Sequence, residues 1–129
     1  MVKPQLSELH EQAMSLHKQG YNCAQCVSMV FDPSLGVVTS GLGRGVGGTG
    51  HICGAASAMA IVVGARSFTS PSDKPAINAE VKGLIDDFAC MNNGLCDCRD
   101  LRKPGAKPCN QLIKDAITLL YNHYYGEEN

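Results

Sequence analysis

Charge of one sign is missing from this chain: 11 Lys and Arg stand against 12 Asp and Glu, for a net charge of −1. No basic field is present to gather nucleic acid or an anionic membrane surface. Long apolar runs are missing too. The longest weakly polar stretch, residues 52–65, falls short of the roughly 20 residues a membrane-spanning helix needs. The opening MVKPQLSELHEQ has no apolar core of a secretory leader, so a cytoplasmic chain without membrane insertion is expected. Polar–apolar alternation of strand length is also absent, which argues against sandwiches, barrels and βαβ folds.

What is present fits one ordinary domain spanning residues 1–129, with 44% hydrophobic and 18% charged residues. A chain of this length can bury roughly two-thirds of its extended surface without staples. It carries seven cysteines, at positions 23, 26, 53, 90, 96, 98 and 109. In a reducing compartment such a set points to catalysis, redox work or metal binding, and an odd count suits a disulfide framework poorly. Cys26 and Cys90 are expected to be small buried hydrophobes.

Helical periods organise the chain. Leu6, Leu9, Ala13 and Leu16 predict a first helix over residues 5–19, closed by Gly20. His10 and His17 lie beside that stripe and read as edge residues. Asn22 suits the cap of a short second helix that Asp32-Pro33 stops. Eight glycines then fall within residues 36–54. Two Gly-x-Gly-x-x-Gly matches in that loop lack the preceding strand and βαβ setting of a dinucleotide site. His51 reads as a solvent-facing loop residue.

Ile52, Ala55, Ala56, Met59 and Val63 give the apolar face of a central helix over residues 52–65. The linker FTSPSDKPA follows, and Pro75 suits the first turn of the next helix. Its stripe is Ile77, Val81, Leu84, Ile85 and Phe88, and Asn92-Asn93-Gly94 ends it. Asp86 and Asp87, being adjacent, read as helix surface rather than an acid–base pair. Residues 95–108 read as a polar loop. A last helix starts near Cys109, and the GEEN tail should fray. The fold class is therefore all-α: a single-domain bundle of about five helices, with a glycine-rich loop before the central one.

Cys23, Cys53 and Cys109 each fall at a predicted helix N-terminus. Unpaired amides and the helix dipole there favour thiolates. On this ground Cys53 is expected to have a lowered pKa and to alkylate faster than Cys26 or Cys90. Cys98, beside Arg99, Arg102 and Lys103, is a fourth candidate. The pair Cys23-x-x-Cys26 lacks the strand that precedes a thioredoxin-type site.

These residues resemble the C_GCAxxG_C_C family of redox-active proteins. The likeness is carried by Tyr21-Asn22-Cys23-Ala24-Gln25, by Cys53-Gly54-Ala55-Ala56-Ser57-Ala58 after the glycine loop, by Cys98-Arg99-Asp100-Leu101, and by Cys109. Ala58 stands where the family's Cys-Gly-Ala-x-x-Gly core has its second glycine. The resemblance implies a small prokaryotic protein, similar in its cysteine region to split-Soret cytochromes c. Haem is not implied, since Val27 rather than His follows Cys26. It implies an iron–sulfur site, two-iron by preference, on Cys23, Cys53, Cys98 and Cys109, with Gly47, Gly48, Gly50 and Gly54 as the supporting loop. Electron transfer with an unidentified redox partner would follow, and a homodimer is left open. A cofactor-free thiol–disulfide oxidoreductase using Cys53 or Cys23 and a structural zinc site are the alternatives. No role is assigned to Cys26, Cys90 or Cys96.

Overall fold

A computed structural model describes residues 3–103 and 107–126. Its elements are helices: α1 Leu6–Lys18, α2 Cys23–Met29, α3 Gly54–Ser67, α4 Lys74–Met91, the single turn α5 Cys98–Leu101, and α6 Cys109–Tyr125. Short 3-10 turns occupy Pro33–Gly36 and Pro71–Asp73. Among the described residues the one extended pairing is an isolated antiparallel bridge between Ile52 and Asp97. No helix among them is long and apolar enough to cross a membrane. The end of the expected frayed tail, residues 127–129, lies outside the described residues.

The small residues of α3 put it at the centre. Ala55, Ala56, Ala58, Met59 and Val63 are fully buried, and α2, α4 and α6 pack around them. Ala58 is thus a core contact. From the other side come Phe88 of α4 and Ile113, Ala116, Ile117 and Leu120 of α6, all fully buried.

Local chemistry sets the ends. The Asn22 side chain accepts from the Gln25 amide at 2.8 Å, and Gln25 Oε1 accepts from the Asn22 amide at 3.0 Å, which is a capping box. The same two side chains donate to Ser40 O and Gly36 O, so the cap of α2 also anchors the glycine loop. Asn93 and Gly94, both at positive φ, close α4.

Three expectations need correction. The 95–108 stretch is not all loop, because it holds α5. Helix α3 starts two residues later than expected, because Ile52 is taken by its bridge to Asp97. Cys90 is exposed rather than buried. It lies two residues beyond Phe88, and two helical steps turn a side chain to the opposite face.

Candidate functional site

The loop before α3 is stitched to the loop before α5. The Cys53 amide donates to Cys96 O at 2.7 Å, the Cys98 amide to His51 O at 2.7 Å, and the Arg99 amide to Gly50 O at 3.1 Å. Cys53 therefore sits at the N-cap of α3, one position before the first turn the sequence suggested, alongside Cys98 at the first residue of α5. Only glycine fits at 45: its φ is +73, and a Cβ there would lie 2.6 Å from His51 N and 2.8 Å from Cys98 Cβ. Cys23 opens α2 and Cys109 opens α6. All four cysteines thus stand at helix starts, one more than the sequence assigned.

They line one cavity of about 340 Å³, shared with Asn22, His17, Arg44, Arg102 and Gly54, and walled by Leu101 and Leu112. Cys53 and Cys98 are 5% and 8% exposed, while Cys23 and Cys109 are half-buried. Gly54 provides the room for Cys23, whose Sγ lies 2.5 Å from where a Cβ at 54 would be. Arg102 Nη1 donates to Cys109 Sγ at 2.9 Å.

Burial decides the protonation of the inner sulfurs. It pushes the Cys53 thiol up to about 12; the Ala56 and Ala55 amides at the start of α3 pull the other way, and Cys23 and Cys98 add to the push. Burial raises Cys23 as well, against the amides of Arg44 and Ala24, with Cys109 and Cys98 adding to it. Cys98 is raised by burial, opposed by the Arg102 and Arg44 guanidiniums. The helix-start amides expected from the sequence do face Cys53 and Cys23, but loss of water outweighs them. The expected lowered pKa of Cys53 is therefore overturned. In the reduced chain these three groups rest as thiols, each discouraging the ionisation of its neighbours.

The other cysteines point elsewhere. Cys26 is fully buried, with its Sγ 3.7 Å from Tyr21 O and burial holding its thiol near 12. Cys96 Sγ lies 3.8 Å from Ile85 O. Of the supporting glycines, Gly54 lines the cavity, and Gly50 O accepts from Arg99 Nε at 3.2 Å. Gly47 and Gly48 adopt positive φ within the loop but do not line the cavity. His51 is exposed, as read from the sequence, and its Nδ1 meets Arg99 Nη2 at 3.3 Å. The sequence reading missed Arg44 and His17 as cavity residues, and named Arg102 only as a cation beside Cys98. Arg44 had a signal, being a long cation inside a run of glycines. Among the described residues no group of three or more His, Cys, Asp or Glu side chains is placed to hold a single metal ion.

Four cysteines from four helix starts, set around one cavity of a small helical protein, define a cysteine-centred redox class. The chain belongs to the family described as "Putative redox-active protein (C_GCAxxG_C_C)", whose model matches residues 21–123. That span contains all four cavity cysteines. Comparison with curated proteins and with solved structures returned no match.

Proposed function

We propose that Cys23, Cys53, Cys98 and Cys109 hold an iron–sulfur cluster of the two-iron type, and that the protein exchanges electrons with a separate redox partner in the cytoplasm. The observation that carries this reading is the convergence of four sulfurs on one cavity of about 340 Å³. A single tetrahedral ion draws its sulfurs to about 2.3 Å from the metal and leaves no such space. No three of these cysteines are placed for that, which weakens the zinc reading. A two-iron cluster needs only two sulfurs on each iron, so the absence of a three-sulfur group does not count against it.

The donor set fits the group. Thiolates are the ordinary ligands of such clusters, and amide donors to sulfur tune them. When bound, the cluster supplies one-electron chemistry. The chain's residues do the rest. The amides of Arg44, Ala24, Ala55 and Ala56 point at Cys23 and Cys53, and Leu101 and Leu112 give the cavity an apolar wall. The thiols lose their protons on ligation, so loading should improve with rising pH.

One observation favours thiol–disulfide exchange as a second reading. Cys109 is half-buried, touches Arg102, and lies close enough to Cys98 and Cys23 to act on both electrostatically. Among the four it is the half-buried sulfur that also has a guanidinium against it. Its thiolate would attack one sulfur of that disulfide and expel the other as a thiolate, and a neighbouring cysteine would resolve the mixed disulfide.

Anaerobic reconstitution of the reduced chain with iron and sulfide separates the two. The cluster reading expects a visible chromophore with iron and acid-labile sulfide bound in equal amounts. A colourless protein that instead forms one defined disulfide among the four on oxidation would replace it with the exchange reading.

A further inference from the structure

The cavity has a charge pattern that sulfur ligation leaves unused. Among the described residues no carboxylate lines it, whereas Arg44 and Arg102 stand exposed at its mouth with the half-buried His17 beside them. Ion pairs among the described residues join Lys82 to Asp86, Lys103 to Asp100, Lys107 to Asp115 and His123 to Glu80. Neither cavity guanidinium has an acidic partner among them. Arg44 is fixed by its backbone, at φ 53 between Gly43 and Gly45, a left-handed conformation that residues with side chains take uncommonly. The two guanidiniums converge: both act on the Cys98 thiol, and Arg102 also reaches Cys109 Sγ at 2.9 Å. A concave site with two cations that have no acidic partner among the described residues, and with an apolar wall, is built for a small ligand of negative charge.

We propose that this mouth takes a small anion, a molecule bearing a carboxylate or an oxyanion group, and presents it to Cys109. The inference rests on the function proposed above only in treating the cavity sulfurs as the reactive centre.

Charge-matched alkylation tests it on the reduced, metal-free full chain. Iodoacetate and iodoacetamide do the same chemistry: sulfur bonds to the methylene carbon and iodide leaves. They differ in charge. Mass-spectrometric rates give the iodoacetate-to-iodoacetamide ratio at each cysteine, and a ratio taken on one sulfur cancels its accessibility and nucleophilicity. At low salt the ratio at Cys109 should exceed that at exposed Cys90 by about fivefold, the effect of one unit-charge attraction at close range in water-like surroundings. It should fall to the Cys90 value in the Arg44→Gln/Arg102→Gln variant. In the unaltered protein it should fall likewise in 1 M salt, where the screening length shrinks to about 3 Å. Equal ratios at Cys109 and Cys90 at low salt would overturn the proposal, as would an excess that survives either the double substitution or the salt. The salt arm needs no variant, so a folding defect cannot hide the answer. Because no metal is present, the result is independent of cluster loading: a chain that shows the excess but never forms a chromophore keeps the anion site and loses only the cluster.

Discussion

A single methyl group at position 54 is expected to empty the site while leaving the helices in place. In Gly54→Ala the new Cβ would lie 2.5 Å from Cys23 Sγ, 2.9 Å from Leu42 O and 3.4 Å from Ala24 Cβ. The first of these is closer than any relaxed contact, so the sulfur, the start of α2 or the loop carbonyl must move. Alanine is itself a better helix former than glycine, by about 1 kcal/mol in a helix interior, so any loss comes from overpacking, which costs about 1–3 kcal/mol. The expected outcome is a helical protein by circular dichroism, with a lower melting temperature and little or no cluster after reconstitution. Gly64→Ala and Gly83→Ala are the controls. Both sit inside helices, and an added Cβ meets nothing within 4 Å. They should load normally and melt at or above the temperature of the unaltered protein. Full loading and an unchanged melting temperature in Gly54→Ala would remove the packing argument.

Cys53, at the centre of the motif, is expected to be among the least reactive thiols of the metal-free chain. It is 5% exposed, and burial holds its thiol near 12. At pH 7 its thiolate fraction is then only about 1 in 100,000. A brief iodoacetamide pulse should label exposed Cys90 at least about 100 times faster than Cys53. The rate at Cys53 should climb about tenfold per pH unit well above neutrality, for as long as the chain stays folded. The same shift has a stability consequence. Cys53 and Cys26 ionise near 9.0 when unfolded and near 12 when folded. Each folded pKa is raised, so the contribution is full below 9 and is lost as pH rises towards 12. Denaturant midpoints should fall across that window, and a Cys53 that labels as fast as Cys90 at pH 7 would refute the burial argument.

The helices were legible because their ends carry local chemistry. Asn22, Pro75 and Asn93-Gly94 set boundaries through hydrogen bonds and backbone preferences that act over a few residues. The four cysteines were legible as a set through their shared position at helix starts and through the family pattern. The state of Cys53 was not, because the amide field that favours a thiolate is local, whereas the desolvation that opposes it comes from α2, α5 and the glycine loop folding over it. Helix α5 was hidden by its length, since four residues give no period to read. The cavity was hidden for the same reason as the burial: Arg44, Arg102 and His17 come from three separate stretches and meet only after the 45–53 loop is stitched to residues 96–99. The spatial role of Gly54 is likewise tertiary, because the atom that fills its missing side chain belongs to Cys23.

The account stands on the four cavity cysteines acting as one site, and replacing all seven cysteines by Ser, one at a time, tests it most directly. After anaerobic reconstitution, bound iron and sulfide and the visible absorbance are measured for each variant. Loss is predicted for Cys23, Cys53, Cys98 and Cys109 alike, and retention for Cys26, Cys90 and Cys96, whose side chains lie outside the cavity. A chromophore that survives removal of any one of the four, or that disappears with Cys90 or Cys96, would contradict it.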